Sequence, residues 1–216
     1  MWCVPEIDQE YIEKMADVLK EYEKPVDAKK PVICLDEKPV KLREDYRPGI
    51  EMKPGRVAAR DYEYVRHGTA NIFVAVEPKR GKHILKTTQS RKGPDFAEFL
   101  SDLSKKYRYA SKITLIMDNL NIHCEKSLIK RFGKTKGSRL WKRFDVHYTP
   151  KHASWLNQAE CEISLISRES IGKSRIPSLE KLRNKVTAWA DRANKKRRTI
   201  KWEFTKAKMK EKFKLS

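Results

Sequence analysis

Two aspartates stand directly after apolar runs of the kind that form buried strands. Asp36 follows residues 32–35, and Asp118 follows residues 113–117. A carboxylate at the end of a buried strand lies where an α/β sheet opens, which is where such sheets form their sites. A single Asp in this place more often caps the next turn. Two of them in one chain favour a shared site.

A third acid, Glu160, stands four residues after Leu156. If both lie on one helix, the Glu160 carboxylate shares the face that docks Leu156 onto the sheet. A carboxylate aimed towards a core is costly unless it is paired or binds a cation. Glu162 and Glu169 are expected to point elsewhere on the helix and to be solvated.

The rest of the chain is strongly basic. Its 216 residues carry 49 Lys and Arg against 29 Asp and Glu, a net charge of +20. Residues 164–216 hold seventeen bases and five acids, whereas residues 1–28 hold eight acids and three bases. A Lys-rich surface that only aids solubility is the alternative, but clustered charge of this size favours a polyanion, most often DNA or RNA.

Carboxylates that act on a nucleic acid need a cation between themselves and its phosphate groups. Oxygen donors from two strands and a helix suit Mg²⁺ or Mn²⁺, which are held by few carboxylates together with substrate phosphates. A pair of such ions about 3.5–4 Å apart can activate a water or a 3′-hydroxyl and stabilise the leaving oxygen.

Other classes of protein are disfavoured. No apolar run approaches the roughly 20 residues that a membrane span needs, and the N-terminus has no signal-peptide pattern. The four cysteines are scattered, which argues against a disulfide framework or a zinc site. We expect a cytoplasmic protein without a membrane partner.

Apolar spacing predicts alternating helices and strands, and hence an α/β layer with a mixed sheet flanked by helices. The predicted helices cover 6–23, 94–107, 125–132, 154–168 and 179–193, with a final Lys-rich helix capped by Thr205. The predicted strands cover 32–35, a hairpin over 71–87, 113–117 and 144–148. Residues 40–70 are predicted to form an irregular loop or a β-excursion.

Four segments resemble the catalytic domain of DDE transposases in the bacterial insertion-sequence branch related to mariner elements. They are C-L-D-E-K-P around Asp36, R-H-G-T-A-N-I-F-V-A at 66–75, I-M-D-N-L-N-I-H around Asp118, and T-P-K-H-A-S-W-L-N-Q-A-E ending at Glu160. Each block alone is weakly specific, but four in order over residues 31–168 are strongly specific.

The resemblance implies an RNase H-like fold, with Asp36 on the first strand, Asp118 at the fourth and Glu160 on a following helix. It implies metal-dependent cleavage at transposon ends and transfer of the freed 3′-hydroxyl into target DNA. Asp36 and Asp118 are assigned to bridge the metals, and Glu160 to complete the coordination of the second. Mg²⁺ is the expected cofactor, with Mn²⁺ as a substitute.

Three further residues are expected to support this site. Asn119 and His123 match family positions beside the second acid. His123 either packs under the site at a helix start, which we favour, or touches metal or phosphate. Asn157 is expected to fix its helix against the sheet.

The basic C-terminal region is predicted to hold the backbone of double-stranded DNA without reading bases. The residues assigned to this contact are Arg192, Lys195, Lys196, Arg197 and Arg198. A homodimer at the transposon ends and association with the bacterial nucleoid follow from the resemblance alone.

Two features depart from the family pattern. The common L-N-P-I-E is here L-N-Q-A-E, so Gln158 and Ala159 are expected to loosen the start of the helix that carries Glu160. About one helix precedes Asp36, where family members carry helix-turn-helix domains, so a separated catalytic half is expected. We divide the chain into a helix and linker (1–30), an RNase H-like core (31–170) and a basic helical region (171–216).

Two other functions remain open. One is another RNase H-like nuclease that cuts RNA–DNA hybrids or branched DNA, which the L-N-x-x-E block argues against. The other is a non-catalytic DNA-binding remnant of a decayed or split element. The three intact acids argue against decay.

Overall fold

A five-stranded mixed sheet forms the centre of the molecule, seen here in a computed structural model that describes residues 7–172 and 174–214. The strands are β1 (Val32–Asp45), β2 (Tyr64–Glu77), β3 (Lys82–Thr88), β4 (Ile113–Met117) and β5 (Phe144–Tyr148). The helices are α1 (Gln9–Glu23), α2 (Gly93–Lys106), α3 (Glu125–Phe132), α4 (Lys134–Trp141), α5 (Ala159–Ile166), α6 (Leu179–Lys196) and α7 (Lys206–Phe213).

The strand order is β3-β2-β1-β4-β5. The first three strands are mutually antiparallel, while β4 runs parallel to both β1 and β5. All five residues of β4 are buried, as expected for a central parallel strand covered on both faces.

Helices cover both faces of the sheet. On one face, Phe96 and Phe99 of α2 pack with Phe73 of β2 in one core cluster. On the other, α1 packs near β1 and β4, and Trp189 of α6 packs with Val74 of β2 in another cluster. Because alternate residues of a strand face opposite sides, residues 72–76 of β2 are apolar on both faces and form a continuous hydrophobic run.

The first two strands are much longer than the apolar runs that predicted them. β1 continues through Pro39 to Asp45, and β2 begins at Tyr64, so the β-excursion is the correct alternative for much of residues 40–70. Proline is tolerated there because β4 pairs with β1 only over residues 32–34, which leaves one edge of β1 unpaired beyond that point.

Helix α4 was not predicted, because its sequence K-T-K-G-S-R-L-W lacks apolar periodicity. Gly137 allows this helix to pack closely on α3. A Cβ there would lie 2.7 Å from the backbone of Ile129, so only glycine lets α4 pack this closely against α3.

The predicted helix over 154–168 is wrong at its start. A short 3₁₀ turn covers Ser154–Leu156, Asn157 is extended (φ −78°, ψ 109°), and α5 begins at Ala159. Leu156 and Glu160 therefore do not share one helix face, as the spacing argument assumed. The final helix is capped by Thr205 as predicted, since its side chain accepts a hydrogen bond from the Lys208 amide at 3.2 Å.

At the N-terminus the first helix begins at Gln9 rather than at residue 6, which lies outside the described residues. Within the described part of the chain, no helix is both long enough and apolar enough to cross a membrane.

Candidate active site

The register between β1 and β4 places Asp36 and Asp118 side by side. Cys34 pairs with Ile116 in this parallel ladder, so continuing it by two residues sets Asp36 opposite Asp118. Cys34 and Ile116 belong to one core cluster on the α1 face, and alternation therefore turns both carboxylates towards that face. Neighbouring strands lie about 4.8 Å apart.

Asn157 ties the start of α5 to β1 and so brings in Glu160. Its Nδ2 donates to the Leu35 carbonyl at 2.8 Å and to Oδ2 of Asp36 at 3.3 Å. Its Oδ1 accepts from the Ala159 amide at 3.1 Å, and its carbonyl accepts from the Glu160 amide at 3.1 Å. Glu160 thus stands in the first turn of α5, beside the strand that carries Asp36.

The start of α5 is further held by α1. The Tyr22 hydroxyl donates to the Leu156 carbonyl at 2.9 Å, and the Gln158 amide donates to that hydroxyl at 3.3 Å. Both Gln158 and Ala159 are buried. The helix start is therefore anchored on two sides, despite the substitution of Pro by Gln that was expected to loosen it.

The three acids act on one another electrostatically. Burial raises the pKa of Asp36 to about 7, against a 2.8 Å hydrogen bond from the Glu37 amide. The negative charges of Glu160, Glu37 and Asp118 raise it further. A divalent cation would relieve this mutual repulsion, because its positive charge favours the charged form of each carboxylate.

Beneath the site, His123 connects Asp118 to Glu37. Its Nδ1 lies 2.7 Å from Oδ1 of Asp118, and its Nε2 lies 2.7 Å from Oε1 of Glu37. The side chains of His123 and Glu37 are only 0% and 3% exposed, against 45% for Asp118. His123 packs on Phe96 with a ring-centroid distance of 4.7 Å.

These contacts make His123 a buried cation. Burial alone would lower its pKa, but hydrogen bonds to Asp118 and Glu37, and the charges of both, raise the pKa of His123 to about 10. The hydrogen bond from His123 in turn holds the pKa of Asp118 below its usual value, against partial burial. The charge of Arg91 acts on Asp118 in the same direction.

The loop after Asp118 is held to the end of β5. Asn119 Nδ2 donates to the Thr149 carbonyl at 2.7 Å, and the Tyr148 hydroxyl donates to the His123 carbonyl at 2.6 Å. The side-chain amide of Asn119 thus fixes the loop.

The donor set suits a hard divalent cation, since it consists of carboxylates whose charges repel each other. Within the described residues, one trio of His, Cys, Asp or Glu has ligand atoms that all lie within 4.8 Å of one another: Asp17, Glu21 and His147. The three site acids are therefore spread more widely, as sharing between two ions would allow.

The predicted DNA-contact residues divide into two kinds. Arg192, Lys195, Lys196 and Arg197 are exposed at the end of α6. Arg198 instead pairs with Glu169 at 3.5 Å and approaches Glu162 at 3.7 Å.

The expectation that Glu162 is solvated is wrong. Its side chain is 2% exposed and lies 2.9 Å from Nε2 of His83, which is itself fully buried. The reason is that α5 packs on β1 and β2, which brings Glu162 against His83 of the adjacent strand β3. Glu169 is 40% exposed and accepts a hydrogen bond from Trp189 at 2.8 Å.

Sequence reasoning missed Glu37 and Arg91. Glu37 directly follows Asp36, and strand alternation sends its side chain to the opposite face, where His123 lies. That alternation was a usable signal once β1 was known to continue. Nothing in the sequence around Arg91 indicated its proximity to Asp118.

Comparisons with known proteins give one family and one fold. The model of the family described as DDE superfamily endonuclease matches residues 31–183. No curated protein matches the chain.

Solved structures of the Mos1 mariner transposase share the fold. The Mos1 paired-end complex with Mn has 14% sequence identity and a TM-score of 0.55, over 89% of this chain and 58% of the Mos1 chain. The Mos1 strand transfer complex has 13% identity and a TM-score of 0.58, over 92% of this chain and 61% of that one. The chain thus spans about three fifths of the length of these Mos1 chains.

The predicted RNase H-like mixed sheet flanked by helices is confirmed, while the division at residues 30 and 170 stays a prediction.

Proposed function

The chain belongs to the DDE superfamily endonuclease family, and from this premise we propose that it is the catalytic domain of a DNA transposase. The proposed reaction is metal-dependent cleavage at transposon ends, followed by transfer of the freed 3′-hydroxyl into target DNA. The observation that carries the proposal is the convergence of Asp36, Asp118 and Glu160 from two adjacent strands and one helix.

The three carboxylates are the groups that would hold the metal. Bound Mg²⁺ or Mn²⁺ supplies charge stabilisation and lowers the pKa of a bound water or hydroxyl. Burial raises the pKa of Asp36, and the charges of Glu160, Glu37 and Asp118 raise it further. This repulsion supports the assignment, because a cation between the acids would remove it. The Mn named with one Mos1 complex and the Mg named with another agree with the choice of ion.

The surrounding residues would keep the acids in place. His123 fixes the rotamer of Asp118 and carries a positive charge beneath it. Asn157 binds Asp36 and the start of α5 together, so that Glu160 moves with β1 rather than independently. Pre-organisation of this kind lowers the cost of assembling charged groups around a reacting phosphate.

Double-stranded DNA is the proposed substrate and partner. The net charge of +20 and the exposed Lys and Arg residues at the end of α6 support contacts with the DNA phosphate backbone. The Mos1 complexes are described with a transposon end and in a strand-transfer state. A homodimer that pairs two ends is part of the proposal.

The test is nicking of supercoiled plasmid by the chain with Mg²⁺ or Mn²⁺. We expect activity only with added metal, and a loss of at least about 100-fold in Asp118→Asn, since changes around a metal site that spare its ligands already cost about 10- to 100-fold. Asp118→Asn keeps the shape of the side chain, so folding is preserved.

Asp191→Asn is the matched control, because Asp191 is an exposed Asp on α6. It should nick like the wild type. Equal nicking by wild type and Asp118→Asn would refute the catalytic proposal and leave a DNA-binding remnant. Cleavage confined to RNA–DNA hybrids would instead support another RNase H-like nuclease.

A further inference from the structure

A second basic surface lies beside the site, away from the C-terminal region. We call it the α3 strip and define it by Arg91, Lys92, Lys126, Lys130 and Lys134. All five residues are exposed. Among the described residues none of the five side chains forms an ion pair with a carboxylate, whereas the neighbouring Arg131 pairs with Glu98.

The strip starts at the catalytic edge. The charge of Arg91 reaches Asp118 and helps to hold its pKa down. Gly93, two residues after Arg91, packs against Ser127 of α3, where a Cβ would lie 3.0 Å from the Ser127 hydroxyl. The loop before α2 and the first turn of α3 are thus in contact, and the strip runs from Asp118 along α3.

Hydrogen bonds and packing contacts hold the α3 strip in place. The Ser127 hydroxyl donates to the Ile122 carbonyl at 2.7 Å, and Leu128 is fully buried under α2 and the sheet. Lys126 and Lys130 stand four apart on α3 and so share one face. The close backbone approach of Gly137 to Ile129 fixes α4, at whose start Lys134 lies.

The α3 strip and the basic residues of α6 lie on opposite faces of the sheet. α2 and α3 pack on the face of β2 that carries Phe73, while α6 packs on the face that carries Val74. A single straight duplex cannot lie along both faces of the sheet. The basic residues at the end of α6 lie near the β2–β3 turn, where Arg197 meets Gly81, at the other end of the strands from Asp118. The α3 strip is therefore a cationic surface separate from that of α6.

We propose that the α3 strip is the docking surface for target DNA. This inference rests on the proposed function, which brings two duplexes to one set of acids. Lysine and arginine side chains contact phosphates and position a duplex through its backbone. That chemistry fits a target whose sequence varies, since phosphate contacts do not depend on sequence.

The test measures binding of the full chain to a 30-bp duplex of arbitrary sequence by fluorescence anisotropy over a KCl series. The variant K126Q/K130Q/K134Q should have a log–log salt slope lower by about 0.9 for each phosphate that the variant no longer neutralises. The matched control K20Q/K29Q/K30Q removes the same charge from exposed positions on α1 and in the linker after it, outside both proposed DNA surfaces, and should keep the wild-type slope.

Two results would overturn the inference. One is a wild-type slope in K126Q/K130Q/K134Q. The other is a loss of affinity that depends on duplex sequence, tested with two unrelated duplexes. The salt slope does not require cleavage, so a chain that binds through the strip but does not nick plasmid contradicts the proposed function alone.

Discussion

At the residue scale, His123 is the side chain on which the site most depends. It is fully buried, contacts Asp118 on one side and Glu37 on the other, and is held charged by both. A buried ion pair contributes little net stability, but removal of one partner leaves a buried charge without compensation. His123 therefore affects both the position of Asp118 and the stability of the fold.

His123→Gln should lower plasmid nicking by about 10- to 100-fold, as typical losses of residues that orient metal ligands do. It should also lower the free energy of unfolding by about 3–5 kcal/mol, because Glu37 stays buried without a cation. Urea unfolding and the nicking assay measure the two effects.

The double variant His123→Gln/Glu37→Gln separates the two roles. It should regain stability, since the buried charge is gone, but not activity. Recovery of nicking together with stability would contradict a positioning role for His123. The matched control is His67→Gln in the exposed pair with Glu44, which should change stability by about 0–1 kcal/mol.

At the scale of elements, the site exists because three segments are anchored to one another. Asn157 joins α5 to β1, the Tyr22 hydroxyl joins α1 to the same turn, and the Asn119 amide joins the loop after β4 to the end of β5. Glu162 and His83 form a buried pair that fixes the middle of α5 to β3. The helix that carries Glu160 is thus fixed at its start and in its middle.

The turn between β2 and β3 supports the end of α6 by a close backbone contact. Gly81 has φ +59°, and a Cβ there would lie 2.5 Å from the carbonyl carbon of Arg197. Gly81→Ala should lower the free energy of unfolding by about 1–3 kcal/mol more than Gly55→Ala, as typical overpacking does.

Gly55 is the suitable control because it has a similar φ of +75° with no atom near its Cβ position. The two variants share the backbone strain, so the difference isolates the contact with α6. Equal destabilisation by urea would show that the turn does not bear on the end of α6.

At the scale of the whole molecule, two basic surfaces lie on opposite faces of the sheet, the α3 strip and the basic residues of α6. The proposed function needs basic residues to hold the DNA phosphates and acids to hold the metal. Most of the basic residues of α6 that are assigned to DNA contact are exposed, but Arg198 has acidic partners within the protein. Its proximity to the buried Glu162 suggests that it contributes to stability as well.

Neutralising Arg192, Lys195, Lys196 and Arg197 by Gln should reduce the log–log salt slope of DNA binding by about 0.9 for each phosphate left without a basic partner. The unfolding free energy should change little, because these side chains are exposed. Arg198→Gln should instead lower the unfolding free energy and leave most of the slope intact. An unchanged slope in the fourfold variant would remove α6 from the DNA surface.

The sequence alone determined the order of most elements and the three acids. Apolar patterning is a local signal, so it predicted β4 and β5, while Thr205 as an N-cap indicated the final helix and the four blocks indicated the family. It predicted neither the length of β1 nor α4, since the first depends on pairing with β2 and the second on contact between Gly137 and Ile129.

Only the tertiary structure decided which side chains support the acids. Glu37, His123 and Asn157 act across segments far apart in the chain, and their partners follow from strand register and helix packing. The same holds for Glu162, which the sequence placed in solvent and the fold placed against His83. Local patterns select residue types and periods, whereas burial and pairing arise from contacts between distant segments.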